Sequence, residues 1–506
     1  MQDLKRSLLG AAAGLAIVGA AQAADMPVKA TPVQYVRICG LYGDGFYYIP
    51  GTDTCIKIGG YVRVQGEYNA GAGGIVVGNG GTEAPQGRFA RDVTNDFNYR
   101  VRAPISWDVR QQTEYGTLRT YIRFGAENTT PAQTGAATTF SPYWDRAFIQ
   151  FADFTVGKTI SFFDLFTYSG AYAYHDPKVT GDTTISNGVP VWAYTAQFGA
   201  GFSGTLSLED PAVGHGRALV VDATVPGFFA VNGVVVGDTA FAQTTAGVTG
   251  MRMPDIVVNG RVDQAWGFVG VSAVLHDASG GYYGNPNNVN NGHPADKVGW
   301  AAAVGGQLNL PGGDMIGANV CYSEGAASYC SRQQNSQNYN ASTSVGVGWI
   351  SDGVFANGTE VELTRVWSAM VAYQHIWNPR WKTSWFGGYL NVDYNDQARD
   401  ILNSALVAGS VCPRPFAGIV GNFSAIRADV GNSCSPNYSY YEIGTRTQFN
   451  PVPQLDIGFE LLYSHLNTAY KGPALYTANA PRPAVTLIDD QNVWSAFMRW
   501  QRNFDP

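Results

Sequence analysis

The sequence predicts an all-β chain: a 16-stranded antiparallel transmembrane β-barrel with short periplasmic turns and long extracellular loops, one of which can fold inward. Three observations carry this. Sixteen segments alternate apolar and polar residues. Their connections sort by length, short after every even segment and long after the odd ones. Only 14% of residues are charged, while 13% are aromatic. A soluble chain usually carries about a quarter charged residues.

The clearest segment is FNYRVRAPISWDVR, Phe97 to Arg110. Phe97, Tyr99, Val101, Ala103, Ile105, Trp107 and Val109 share one face. Asn98, Arg100, Arg102, Pro104, Ser106, Asp108 and Arg110 share the other. A period of two places successive side chains on opposite faces of a strand. The sixteen segments lie at 58–69, 97–113, 116–127, 144–153, 154–164, 190–198, 202–209 and 255–265, then at 267–277, 297–309, 314–323, 360–376, 381–394, 438–449, 455–467 and 492–504. QTEYGT, GAGFSG, LPGGD, WNPRW and NPVPQLD are short turns. The stretches 70–96, 128–143, 210–254, 278–296, 324–359 and 395–437 are long and rich in Gly, Asn and Thr. A sandwich does not sort its loops by side, whereas an outer-membrane barrel does. Trp266, Trp377, Trp381, Trp494 and Trp500 stand at strand ends, where interfacial aromatic girdles belong.

The chain opens MQDLKRSLLGAAAGLAIVGAAQA. A charged start, a short apolar run and Ala21-Gln22-Ala23 form a secretory signal peptide over residues 1–23. Residues 24–57 then read as an N-terminal periplasmic segment and 58–504 as the barrel. No later apolar run is long enough for a transmembrane helix, so a membrane-spanning chain must close into a barrel. The formal net charge of −7 gives no reason to expect nucleic-acid binding.

In the first segment Arg63, Gln65 and Glu67 oppose Val62, Val64 and Tyr68; in the third, Arg119, Tyr121 and Arg123 oppose Leu118, Ile122 and Phe124. With Arg100 and Arg102, neighbouring strands stack arginines on a shared face. Facing lipid, each would cost about 2–4 kcal/mol at mid-membrane. Facing a water-filled lumen, they form a basic wall. The segment after SFFDLF supplies Asp164, Asp176 and Asp182. Acids on an inward loop facing that wall would set a transverse field across a constriction, and charged rings of this kind tune ion selectivity. Both signs are present, so weak selectivity is expected. A substrate-selective channel, for sugars or anions, is the alternative.

Six cysteines permit about 15 pairings. Nearest-neighbour pairing is natural in an oxidising compartment and joins Cys39 with Cys55, Cys321 with Cys330 and Cys412 with Cys434. No Cys or His spacing suits a metal site, and no cofactor is expected. ADFTVGKT, Ala152 to Thr159, imitates a phosphate-binding loop, but Phe154, Thr155 and Val156 are strand formers and no helix pattern follows. His175 and His465 sit in no catalytic constellation, so no enzyme activity is expected. An adhesin would bind through long loops without conducting.

Three stretches resemble the alphaproteobacterial general porins of the rhizobial and Brucella type. YVRICGLYGDGFYYIPGTDTCIKIGGYVRVQGEYN is similar to the family's N-terminal signature. RAFIQFADFTVGKTISFFD resembles its approach to the inward-folded third loop, and RWQRNF its C-terminal strand, here followed by Asp505 and Pro506. The resemblance implies a homotrimer of 16-strand barrels, each with its third loop folded inward, in the outer membrane, among lipid and lipopolysaccharide, passing small hydrophilic solutes. It implies a basic constriction wall of Arg63, Arg100, Arg102, Arg119 and Arg123, with Asp164 near the loop base.

Overall fold

The computed structural model describes residues 37–68, 97–130, 139–177, 179, 188–211, 220–222, 249–284, 288–332, 335–339, 344, 346–403, 423–426, 434–469, 471–476 and 485–504. The barrel strands are β1 (Cys55–Tyr68), β2 (Phe97–Thr113), β3 (Gly116–Thr129), β4 (Thr139–Phe151), β5 (Phe154–Thr159), β6 (Val189–Gly199), β7 (Phe202–Glu209) and β8 (Asp255–Gln264). They continue as β9 (Gly267–Asp277), β10 (Val298–Asn309), β11 (Met315–Glu324), β12 (Arg365–Asn378), β13 (Trp381–Asp393), β14 (Tyr438–Phe449), β15 (Leu455–Asn467) and β16 (Gln491–Asn503). Each pairs antiparallel with its sequence neighbours, and β16 pairs back onto β1 from Tyr61↔Asn503 to Tyr68↔Ala496. All sixteen edges are therefore satisfied, the condition for crossing hydrocarbon. No described helix is long and apolar enough to span a membrane.

The apolar face points out. Tyr99 is 58% exposed, Val101 43% and Ile105 42%, while Ser106 and Asp108 on the opposite face are buried. The same outward row continues through Val62, Val64, Leu206, Val271, Val304, Val320, Val371 and Phe459. Such a surface is stable only against lipid. Trp266, Trp377, Trp381, Trp494 and Trp500 also point outward.

The seam rests on one glycine. Phe504 donates its backbone N–H to Gly60 O at 3.0 Å. A Cβ on Gly60 would lie 2.4 Å from Pro104 O and 2.6 Å from the Phe504 ring. Gly60 also has φ of +151°, which side-chain-bearing residues rarely adopt.

Several boundaries differ from the alternation: the fourth strand begins at Thr139 rather than 144, and the twelfth at Arg365 rather than 360. The first strand begins at Cys55, three residues before the predicted 58, and the fifth ends at Thr159 rather than 164. Beyond Thr159 the apolar residues of ISFFDLF leave the sheet and pack inside the barrel: Phe163, Leu165 and Phe166 are buried. The stretch resembling a phosphate loop is a hairpin. Ala152 and Asp153 both take positive φ, 46° and 69°, the two-residue turn that suits strand twist, and Phe154 opens β5.

Candidate functional site: an arginine wall and a latched loop

The first element of the site follows from strand register. Arg63 lies opposite Arg102, Arg110 opposite Arg119, and Arg123 opposite Arg146. Like charges directly opposite one another destabilise a sheet, so each cluster needs an interposed acid. Glu127 accepts from Arg100 Nη2 at 2.8 Å and Arg102 Nε at 2.8 Å. Asp108 takes bidentate bonds from both Arg110 and Arg119, at 2.8–3.0 Å. Asp145 accepts from Arg123 Nε at 2.8 Å, and its backbone carbonyl accepts from Arg146 Nη1 at 2.6 Å. Arg63 donates to Gln501 at 2.7 Å. Aromatic rings alternate with these guanidiniums: Tyr61 under Arg63, Tyr143 under Arg102, and Tyr121 and Phe148 under Arg119, at 4.8–5.5 Å. The side chains of Arg100, Arg102, Arg110, Arg119 and Arg123 keep 12–29% of their surface, so this wall still meets water.

The second element is the chain after Thr159. It runs around the inside of the barrel and is tied to successive strands. The Phe162 N–H donates to Glu209 of β7 at 3.0 Å, and Asn259 of β8 donates to Phe162 O at 2.8 Å. Ser272 of β9 donates to Phe163 O at 2.8 Å, and Tyr172 donates to Gln307 of β10 at 2.9 Å. The loop then reaches β14 to β16. Tyr168 donates to Glu442, Arg446 donates to the carbonyls of Gly170 and Ala171, and Arg499 donates to Tyr174 O at 2.7 Å. His175 Nδ1 lies 2.6 Å from Glu460, with Nε2 3.6 Å from Glu442. Burial alone would lower the His175 pKa; Glu460 and Glu442 outweigh it and raise it to about 10. The imidazole is therefore a cation clasped by two wall carboxylates.

The loop lies on a glycine track. Gly270, Gly317, Gly388 and Gly458 point inward from β9, β11, β13 and β15. A Cβ at these positions would fall 2.8 Å from Leu165, 2.1 Å from Phe166, 2.5 Å from Val179 and 1.9 Å from the Tyr174 hydroxyl. Glycine inside a strand often marks such a close approach. The loop thus covers the inner wall from β7 to β16. The basic ladder stands on β1 to β4, outside this chain of attachments.

The predicted arginines Arg63, Arg100, Arg102, Arg119 and Arg123 all lie on that one wall. The loop acids separate from it. Asp164 stands at the loop base, near enough to Arg146 to interact with its charge. Asp176 pairs with Arg332, on the loop after β11, at 2.8 Å and accepts from Ser169 at 2.9 Å, rather than from a wall arginine. Burial would raise its pKa; Arg332 outweighs that, helped by Ser169 and the field of Arg102, and lowers it to about 2. Asp182 lies outside the described residues. The wall carboxylates were missed as site residues. Asp108 and Glu127 share the arginines' face by the period of two. Asp145 does not, because a register shift between Arg123 and Phe124 turns it inward beside Arg146.

Cys39 is bonded to Cys55 and Cys321 to Cys330. Cys434 is disulfide-bonded, and its expected partner Cys412 lies outside the described residues. The first bridge holds residues 39–55 against the foot of the ladder, where Arg110 lies 4.9 Å over Phe46. Among the described residues no group of three His, Cys, Asp or Glu side chains could hold a metal.

A closed barrel with a lipid-facing surface, a charged inner wall and a loop lashed across its interior defines an outer-membrane β-barrel channel. The chain belongs to the porin subfamily, whose family model matches residues 25–497. It is similar to Porin Omp2a of Brucella melitensis, at 31% identity over 274 residues, 51% of this chain and 67% of that protein. It is similar to Porin Omp2b of Brucella abortus at 31% identity over 274 residues, 49% of this chain and 69% of the relative. Its fold resembles the outer membrane channel DcaP of Acinetobacter baumannii, with a TM-score of 0.55 and 13% identity across 90% of this chain and 99% of that one. The protein is an outer-membrane channel for passive diffusion.

Proposed function

We propose that small hydrophilic solutes cross between the arginine wall of β1 to β4 and the loop latched to β7–β16. The observation that carries this reading is a contrast in exposure. The side chains of Arg100, Arg102, Arg110, Arg119 and Arg123 retain 12–29% of their surface, whereas Arg446 and Arg499, which hold the loop, are buried. The first set is wetted; the second is sealed beneath the loop. Arg63, Arg100, Arg102, Arg119 and Arg123 thus form the basic side of the constriction, and Asp164 and Asp176 act at the two ends of the loop. Fixed guanidiniums order water and let polar solutes exchange hydration for charge-assisted contacts. Diffusion requires no catalytic step and no cofactor. The working unit is a homotrimer among outer-membrane lipid and lipopolysaccharide, as the resemblance to trimeric porins implies. Residues 1–23 serve as the export signal, and a periplasmic segment from residue 24 leads into the channel domain, whose first strand is β1 from Cys55.

Single-channel recording of the refolded mature protein in a planar bilayer tests this. Stepwise closures in threes with large unit conductance support it. A folded barrel that passes no current overturns it.

A further inference from the structure

The charges on the wall do not cancel. Besides Lys57 and the buried Arg146 and Glu67, six arginines, Arg63, Arg100, Arg102, Arg110, Arg119 and Arg123, stand with three carboxylates, Asp108, Glu127 and Asp145. Glu127 and Asp108 each bind two guanidiniums, so each such unit keeps one net positive charge. Asp145 binds Arg123 and stands beside the buried Arg146, while Arg63 is held by the neutral Gln501. In the other ion pairs described around the interior, acids equal or outnumber the cations they hold. Glu442 and Glu460 clasp His175, and both are buried with it. Asp176 is matched by Arg332, and Arg261 by Asp263.

We propose that the permeation path prefers small anions, and that the wall carboxylates serve to aim guanidiniums rather than to neutralise them. The inference rests on the channel reading above and assigns it a solute class. A guanidinium free to swing would fold against its neighbour's ring or retreat into water. Bound through Nε to a shared carboxylate, it is held in place. In Arg102 and Arg119 the cation also rests on an aromatic face. A passing anion meets a fixed row of positive charge that cannot collapse onto it, a design that favours entry without trapping. The expectation from the sequence was weak selectivity because both signs are present. The ratio and placement of those signs now set a direction.

The test is the reversal potential of the refolded full-length mature protein in a potassium chloride gradient. The natural protein is expected to favour chloride over potassium several-fold. Replacing Arg100→Gln and Arg102→Gln together should lower that ratio two- to threefold or more. Glu127→Gln removes the acid and keeps both cations, so it should hold or raise the chloride preference while making the open current noisier. That second variant leaves the arginines intact and keeps the test decisive if the first folds poorly. A channel that conducts but favours potassium, or whose ratio ignores both substitutions, overturns the anion inference and leaves the channel reading standing. A correctly folded barrel with no conductance overturns the channel reading itself.

Discussion

Replacing Gly317 by alanine should loosen the internal loop without touching any charge. A Cβ there would lie 2.1 Å from Phe166 Cε2 and 2.4 Å from Cζ. Carbon atoms settle at about 3.5–4.0 Å, so the ring must retreat by roughly 1.5 Å. It has little room. Phe166 is buried, packs edge-on against Tyr172 at 5.7 Å, and Tyr172 is itself hydrogen-bonded to Gln307. Overpacking of this kind costs about 1–3 kcal/mol, concentrated where the loop meets β11. Gly260→Ala provides the control, because a Cβ there meets only Val271 at an ordinary 3.6 Å. Single-channel traces should show Gly317→Ala closing more often and fluctuating between sub-levels, while Gly260→Ala matches the natural protein. Indistinguishable traces from the two variants would refute the claim that the glycine track seats the loop.

The latch also predicts a pH response. The pKa of His175, held against Glu442 and Glu460, is raised from 6.5 to about 10, so its share of the loop's attachment is complete below pH 6.5 and is lost as pH rises toward 10. Asp176 is lowered from 3.8 to about 2, so its share is complete above pH 3.8 and is lost as pH falls through 2. Closure frequency should therefore be lowest from about pH 4 to 6.5 and climb toward pH 10; a flat profile over that range contradicts the clasp. Replacing Cys39 and Cys55 by serine should cost about 3 kcal/mol of unfolding free energy by loop-closure entropy, readable from denaturant unfolding of the refolded barrel. Val101→Arg places a charge on the lipid face and should cost about 2–4 kcal/mol, whereas Ser106→Arg, facing inward on the same strand, should fold into vesicles far better; equal yields would contradict the assigned faces.

Most of the barrel was legible because a period of two is a local property. Phe97 to Arg110 states its own two faces, and the arginines of β1, β2 and β3 share a wall as soon as those strands are paired. Asp108 and Glu127 were equally visible on that face and needed only the question of what separates opposed arginines. Asp145 was hidden by the bulge at Arg123/Phe124, which breaks the period. The latch was hidden for a different reason. His175 meets Glu460 across a sequence separation of 285, and nothing local announces that meeting. The glycines at 270, 317, 388 and 458 read as interruptions in strands until the loop is laid over them. The sequence expectation sets the loop acids facing the wall arginines, and Asp176 does lie within the field of Arg102, but that expectation names no route for the loop. Its hydrogen bonds carry it round the wall from β7 to β16, so Asp176 ends beside Arg332.

The most direct test of the central claim uses Tyr121, which sits on the lumen face of β3 between Arg119 and Arg123, and Phe124, which points to lipid at 44% exposure. Each is changed in turn to cysteine and treated with a bulky thiol-reactive reagent during current recording. If solutes pass along the arginine wall, Tyr121→Cys loses most of its current on labelling and Phe124→Cys, labelled to the same extent, keeps it. A labelled Tyr121→Cys channel with undiminished current would mean that the path lies elsewhere.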